Sequence, residues 1–356
     1  MDQYAPFTDI RRIPFLDHTA LTADRTVGPF YFYANKEWQC WIHDGTQFFK
    51  MKLEPAQSSY FGDDPAKDTD WSSDLLNLIR QRISFPTIDR AAAGIWNDFQ
   101  NLATSLAKIH LFFEESLSRK DITRFAQTEV EYILLVCRSV FDLLQEIITD
   151  VWERIKLDDP PAKKRSLPES FNDVLYHSNA EQSAEQITAK YGIPLLLSQW
   201  YVDQRPFFAR LKQLRDKMAH RGSEVVHHVF STERGFAVGR DDWPWSEFHQ
   251  SPPEVELPNK LVPLRPILCA IIMKTFDACD SFACLLEHTI GLPKPLYPGF
   301  TYFSRGYADR DLNSIPRVVE NSLWCYQVHP VTGSAKPWYR KTLDWIAEEW
   351  RKTDNP

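Results

Sequence analysis

Near the middle of the chain an arginine and a histidine stand five positions apart, in Leu214-Arg215-Asp216-Lys217-Met218-Ala219-His220-Arg221-Gly222. A guanidinium grips phosphate through paired N–H donors. An imidazole takes or gives a proton near neutral pH. Together they are a minimal kit for phosphodiester chemistry on RNA, whose own 2′-hydroxyl supplies the nucleophile. The spacing is not distinctive in itself: Arg11/His18, Arg12/His18, Arg221/His227 and Arg221/His228 repeat it closely. Context separates them. Arg11 and Arg12 lie in a Pro-broken segment, and His227 and His228 open a predicted strand beyond Gly222. Only Arg215 and His220 share one amphipathic helix.

That helix is well specified. Phe207, Leu211, Leu214 and Met218 fall at i, i+4, i+7 and i+11, a core stripe. Arg215 lies roughly 40° from Leu211 on the helical wheel, at the edge of the stripe. His220 lies roughly 140° beyond Arg215. The two converge if the last turn loosens at Gly222, or if a second protomer supplies the other half. Residues 205–222 carry six basic side chains (Arg205, Arg210, Lys212, Arg215, Lys217, Arg221) against Asp216 alone. This local +5 sits in a chain of net charge −7. A basic strip on an acidic body reads as a polyanion footprint, with Arg210, Lys212, Lys217 and Arg221 as candidate RNA contacts, or as a solvated helix face paired with neighbouring acids.

A second polar feature lies on the apolar helix predicted over 121–156. Glu131, Arg138 and Asp142 share one face there, and Arg138 and Asp142 can pair at i, i+4. Charges on such a helix cost energy unless paired. They read as a structural ion pair or as support for Arg215 and His220.

With these residues in view, Leu-Arg-Asp-Lys-Met-Ala-His-Arg-Gly resembles the R-x(4–6)-H motif of the HEPN superfamily (higher eukaryotes and prokaryotes nucleotide-binding domain), including the polar residue after the arginine, here Asp216. The segment Glu131–Asp142 resembles the first bundle helix of several HEPN-like families, and the likeness covers roughly 120–290. It implies an antiparallel helical bundle, two protomers lining a shared cleft, and metal-independent RNA cleavage without a cofactor. In that scheme His220 is the acid/base, Arg215 the phosphate clamp and Asp216 an orienting group. It also implies a toxin–antitoxin or phage-defence setting, with an antitoxin or defence partner protein. Some members are inactive or scaffolding versions, so the alternative is a non-catalytic helical module that binds a partner protein or nucleotide.

The elements that must position these residues follow from periodicity. Strand-like runs at 30–33, 38–42 and 47–51, with an Asp44-Gly45 turn, open the chain, and 55–72 reads as a polar loop. Helices are predicted at 74–83, 92–117, 121–156 (N-capped by Asp121 or Thr123), 168–177, 180–191, 194–201, 205–221 with Pro206 in its first turn, and 264–290. A hairpin is expected at 225–240, strands at Arg317–Val319 and Leu323–Val328, and a last helix at Trp338–Arg351. The bundle is expected from 121–156, 205–221, 264–290 and one flanking helix. The predicted organisation is mainly α: an N-terminal β-rich region (1–72), a helical bundle (73–292, with a β insertion at about 225–240) and a strand-and-helix tail (293–356).

Composition bounds the rest. With 356 residues, 43% hydrophobic, 12 Trp and 23 Phe, the chain can bury a large core. No apolar run reaches membrane-spanning length and no signal peptide is visible, so a cytoplasmic protein is expected. The six cysteines form no C-x-x-C pair and read as buried thiols. Cys284 and His288, at i, i+4 near Cys279, fit a metal by spacing alone, but their apolar helix reads as core. Walker, G-x-G-x-x-G, G-x-S-x-G and H-E-x-x-H motifs are absent.

Overall fold

A computed structural model describes residues 15–16, 29–43, 48–51, 57–116, 122–157, 164–178, 180–221, 228–248, 253–306 and 309–321. After Phe15–Leu16 (β1) comes an aromatic meander, Phe30–Ala34 (β2), Glu37–His43 (β3) and Phe48–Met51 (β4). Asn35 and Lys36 turn β2 into β3 with φ of 53° and 62°. That is the left-handed pair a two-residue hairpin needs, and asparagine suits it. The β3–β4 pair is antiparallel, Ile42 opposite Phe49. The Asp44-Gly45 turn itself lies outside the described residues.

The predicted polar loop at 55–72 is instead partly extended. Ser58–Gly62 (β5) pairs in parallel with β2, Phe32 opposite Phe61, and Trp71–Ser72 (β6) follows. Tyr60, Phe61 and Trp71 are buried, so tertiary packing overrides the polar local composition.

Three helices come next: Asp74–Arg82 (α1), Pro86–Ser116 (α2) and Thr123–Arg154 (α3). Ser73 caps α1, its Oγ accepting from the Leu76 backbone N–H. The expected cap of α3 is not found: Ile122 occupies the cap position with no side-chain bond, and Thr123 is already helical. Asp121 lies outside the described residues. Ile155–Lys156 (β7) pairs with β1.

Short elements then lead to the motif: Phe171–Leu175 (α4), the two-residue strands Tyr176–His177 (β8) and Ala180–Glu181 (β9), and Ala184–Tyr191 (α5), which is closed by Gly192 in the left-handed region. The two helices expected at 194–201 and 205–221 are one, Leu195–Arg221 (α6), with Pro206 inside it rather than in a first turn. An internal proline removes one backbone bond and costs about 3 kcal/mol. Trp200, Tyr201, Phe207 and Phe208, buried on either side of it, offset that, since each large apolar side chain contributes roughly 1.5–3 kcal/mol.

The predicted hairpin is present as Phe230–Thr232 (β10) and Gly235–Gly239 (β11), Thr232 opposite Gly235. Leu261–Pro263 (β12) completes its small sheet. Leu264–Thr289 (α7) is the most buried helix, followed by Thr301–Arg305 (β13) and Asp309–Asn321 (α8). Residues 317–319, expected as a strand, are part of α8. The expected elements at 323–328 and 338–351 lie outside the described residues.

The described structure is mostly helical, with small sheets at the periphery. Helices α2, α3, α6 and α7 pack around rings such as Phe99 on Phe276 (3.7 Å) and Phe141 against Phe208 (5.6 Å). The largest sheet runs β4-β3-β2-β5-β13-β6, so a strand from the C-terminal tail is inserted among N-terminal strands. Among the described residues no helix is long and apolar enough to cross a membrane.

Candidate functional site

The stripe read from the sequence anchors α6. Phe207, Leu211 and Leu214 are buried, and Met218 packs partly buried on the core. Two contacts set how α6 lies on α3. The Tyr201 hydroxyl donates to Gln145 Oε1 at 2.9 Å, and the Arg138 guanidinium lies 4.5 Å over the Phe208 ring. Tyr201 and Phe208 are seven apart in one direction, Gln145 and Arg138 seven apart in the other. The two helices therefore run antiparallel across this seam.

Arg215 follows Leu214 with its side chain 51% exposed, its Nη1 4.0 Å from Asp216 Oδ1. This agrees with its predicted place at the stripe's edge. The backbone of α6 stays helical through Arg221, so His220 lies on the same regular helix. The side chains of His220 and Arg221 lie outside the described residues.

Arg205, Arg210, Lys212 and Lys217 are engaged with neighbouring chain. Arg205 pairs with Glu181 (3.0 Å) and donates to the Gln182 carbonyl (2.9 Å). Arg210 pairs with Glu247 (2.9 Å), and Lys212 donates to Asn172 Oδ1 (2.9 Å). Lys217 lies 3.3 Å over the Trp243 ring, whose Nε1 donates to Glu247 (3.1 Å). Glu247 and Trp243 thus strap the 240–248 loop to α6. Burial, with Arg210 beside it, holds the Lys274 ammonium below its usual range. Sequence reasoning missed this strap. Trp243, Pro244 and Trp245 stand together in the sequence, but nothing there points to the helix they meet.

On α3, Arg138 and Asp142 form the expected pair at 2.6 Å, with the arginine 7% and the aspartate 57% exposed. Glu131 differs: its Oε1 is buried with no hydrogen-bond partner. Along the solvent side of the same helix, Phe125, Tyr132 and Leu135 are exposed. The Phe125 ring meets that of Phe112 on α2 at 5.7 Å.

At the other candidate, Cys284 Sγ stands 3.7 Å from His288 Nδ1, which in turn is 2.6 Å from the Cys284 carbonyl. Cys40, Cys137, Cys269, Cys279 and Cys284 are free and buried, as their apolar surroundings predicted. Among the described residues no group of three or more His, Cys, Asp or Glu is arranged to hold a metal.

Comparison with protein-family models, with curated proteins and with solved structures finds no match.

Proposed function

We propose that this chain is a HEPN-type endoribonuclease that cuts RNA through the 2′-hydroxyl without a metal. The observation that supports it best is Arg215. Among the described strip cations it is the one left half exposed, beside Asp216 and on a core-packed helix that also carries His220. A guanidinium so placed can meet a phosphate without breaking a structural ion pair. The engaged state of Arg210, Lys212 and Lys217 narrows the expected RNA footprint to the end of α6 near Arg215 and Arg221.

In this reading neutral His220 takes the proton of the RNA 2′-hydroxyl as its oxygen attacks the adjacent phosphorus. The 5′-oxygen leaves, taking a proton back from the imidazolium. Arg215 donates to the non-bridging oxygens while charge builds on them. The products are a 2′,3′-cyclic phosphate and a 5′-hydroxyl. The setting expected from the resemblance is a toxin or phage-defence system, with a second copy of the chain as partner.

The second reading, a helical module that docks a partner protein without catalysis, is favoured by Phe125, Tyr132 and Leu135, exposed on α3. One experiment separates the two. Purified protein is incubated with total RNA and a chelator, beside Arg215→Ala and His220→Ala. Cleavage by the wild type with 2′,3′-cyclic ends, lost in both variants while thermal unfolding is unchanged, is the expected result. Cleavage that persists in both variants, or none in the wild type, defeats the ribonuclease reading.

A further inference from the structure

We infer that Arg210 and Lys217 form a second phosphate site on α6, for the backbone of the same RNA, and that Glu247 and Trp243 close it as a displaceable cover. The inference rests on the ribonuclease reading above and concerns how its RNA site is regulated. In the described state the cover confines RNA to the end of α6, and its release widens the footprint.

Position on the helix supplies the first ground. Arg210 and Lys217 are seven apart, so they share a face and stand about 10.5 Å apart along the axis. Position 220 follows one turn beyond Lys217, roughly 60° round the helix. Arg215 lies roughly 140° from Arg210, on another side. RNA that reaches position 220 on a single chain therefore runs past Arg210 and Lys217 rather than Arg215.

The second ground is what holds these two cations. The Glu247 carboxylate pairs with Arg210 Nε (2.9 Å) and accepts from Trp243 Nε1 (3.1 Å). The Trp243 ring in turn lies 3.3 Å from Lys217 Nζ. Both partners occupy charged donors that suit a phosphate. The cluster is also richer in cations than Glu247 neutralises. Lys274 on α7 stands beside Arg210, and burial, then that arginine, hold its ammonium below the usual range while Asp277 opposes them.

The third ground is that the cover can yield while its loop stays in place. Trp245 and Phe248 are buried, and the loop's start is tied down by Arg240 to Glu256 (2.7 Å) and Lys260 to Asp241 (2.6 Å). The Arg210 and Glu247 side chains, by contrast, are 39% and 34% exposed. An ion pair so open to water is weak. A phosphate chain brings several charges at once, and rotation of the Glu247 and Trp243 side chains admits it.

The test measures binding of the full chain to a fluorescent single-stranded RNA with 2′-O-methyl riboses, which cannot be cut through the 2′-hydroxyl. Anisotropy is read at several salt concentrations, and cleavage of unmodified RNA under chelator is run beside it. Glu247→Gln keeps the shape and an acceptor for Trp243 and removes the charge. It should bind up to about fivefold more tightly than wild type. The slope of log K against log salt should steepen by about 0.7, one more phosphate contact on a single strand. Glu247→Gln added to Arg210→Gln should gain nothing, which a general change of net charge would not reproduce. Equal affinity and slope in wild type and Glu247→Gln overturn the cover and leave the ribonuclease reading standing, and so does a gain that survives without Arg210. Tighter binding by Glu247→Gln with no cleavage by either protein upholds the covered site and removes the ribonuclease reading. RNA bound by neither protein ends both.

Discussion

Replacing Arg305 and Arg138 by methionine, one at a time, separates two kinds of buried arginine. In the large sheet Arg305 donates to Asp70 through Nε (3.1 Å) and Nη2 (2.9 Å), with side chains 4% and 1% exposed. Asp70 also accepts from the Tyr60 hydroxyl (2.6 Å) and the Lys67 N–H (3.1 Å). Arg305→Met strands a carboxylate that water does not reach, and breaking a buried pair this way costs about 3–5 kcal/mol. The two surviving hydrogen bonds argue for the lower end. Arg138 is nearly as buried, but its partner Asp142 is largely in water. Arg138→Met gives up a partly exposed pair worth about 0–1 kcal/mol and a cation–π contact of up to about 2 kcal/mol. In return it relieves the desolvation of a guanidinium whose Nε has no hydrogen-bond partner. The net should fall within about 1 kcal/mol of zero. Thermal unfolding by calorimetry reads the difference. Each kcal/mol moves Tm by a couple of degrees or less in a chain of this length, so Arg305→Met should lose roughly 3–6 °C and Arg138→Met should move by a couple of degrees at most. Asp70→Asn added to Arg305→Met should recover part of the loss. Equal losses for the two arginines would refute the argument that partner burial sets the cost.

Two further outcomes follow from burial. Burial pushes the thiols of Cys137 and Cys284 up to about 12 and that of Cys269 up to about 11, and holds Cys279 well above its usual range. At pH 8 an aromatic disulfide reagent should leave these four, and buried Cys40, unlabelled in the native protein and label all five after denaturation, as peptide mass spectrometry reads out. Native labelling of any of them at a free-thiol rate contradicts their placement. On α7, burial pushes the Asp277 carboxyl up to about 6, with Lys274 opposing it. The unfolded value is about 3.9, so the folded chain binds the extra proton between the two. The stability from this group is complete below about pH 4 and is lost as pH rises through about 6. Asp277→Asn should therefore unfold at a higher temperature than wild type at pH 7.5, with the gap narrowing at pH 5; a gap independent of pH would reject the assignment.

How much could be read in advance depended on the range of the interactions. Arg138 and Asp142 pair one turn apart, so helical spacing alone anticipated their ion pair. The α6 stripe was legible because Phe207, Leu211 and Leu214 repeat with the helical period. The β2–β3–β4 meander was legible because aromatic residues alternate around turn signals. What failed to show was non-local. Strand β13 is five residues, Thr-Tyr-Phe-Ser-Arg, and it extends because Tyr302 lies opposite Phe61, some 240 positions earlier. Strand β5 hides in a polar stretch for the same reason. Pro206 reads as a helix start on local grounds, and only the aromatic packing on both sides of it explains a helix that runs through. The Trp243–Glu247 strap belongs to this class too, since neither Lys217 nor Arg210 carries any sign of its partner.

The unbroken α6 also bears on how an Arg–His pair would work. Two routes to convergence were open, a loosened last turn or a second protomer. The helix keeps its form through Arg221, so positions 215 and 220 retain roughly the 140° separation of a regular helix. Arg215 follows the buried Leu214 at the edge of the apolar stripe, and a position turned that far round the helix faces another direction. Under the ribonuclease reading a single chain then offers its arginine and its histidine to different places, and one phosphate sees both only where two copies meet. A two-fold axis near the end of α6 would supply each site with the arginine of one copy and the histidine of the other. A second copy on that side would also shield Phe125, Tyr132 and Leu135, exposed on α3, from water. Catalysis and burial of the stripe would then depend on the same association.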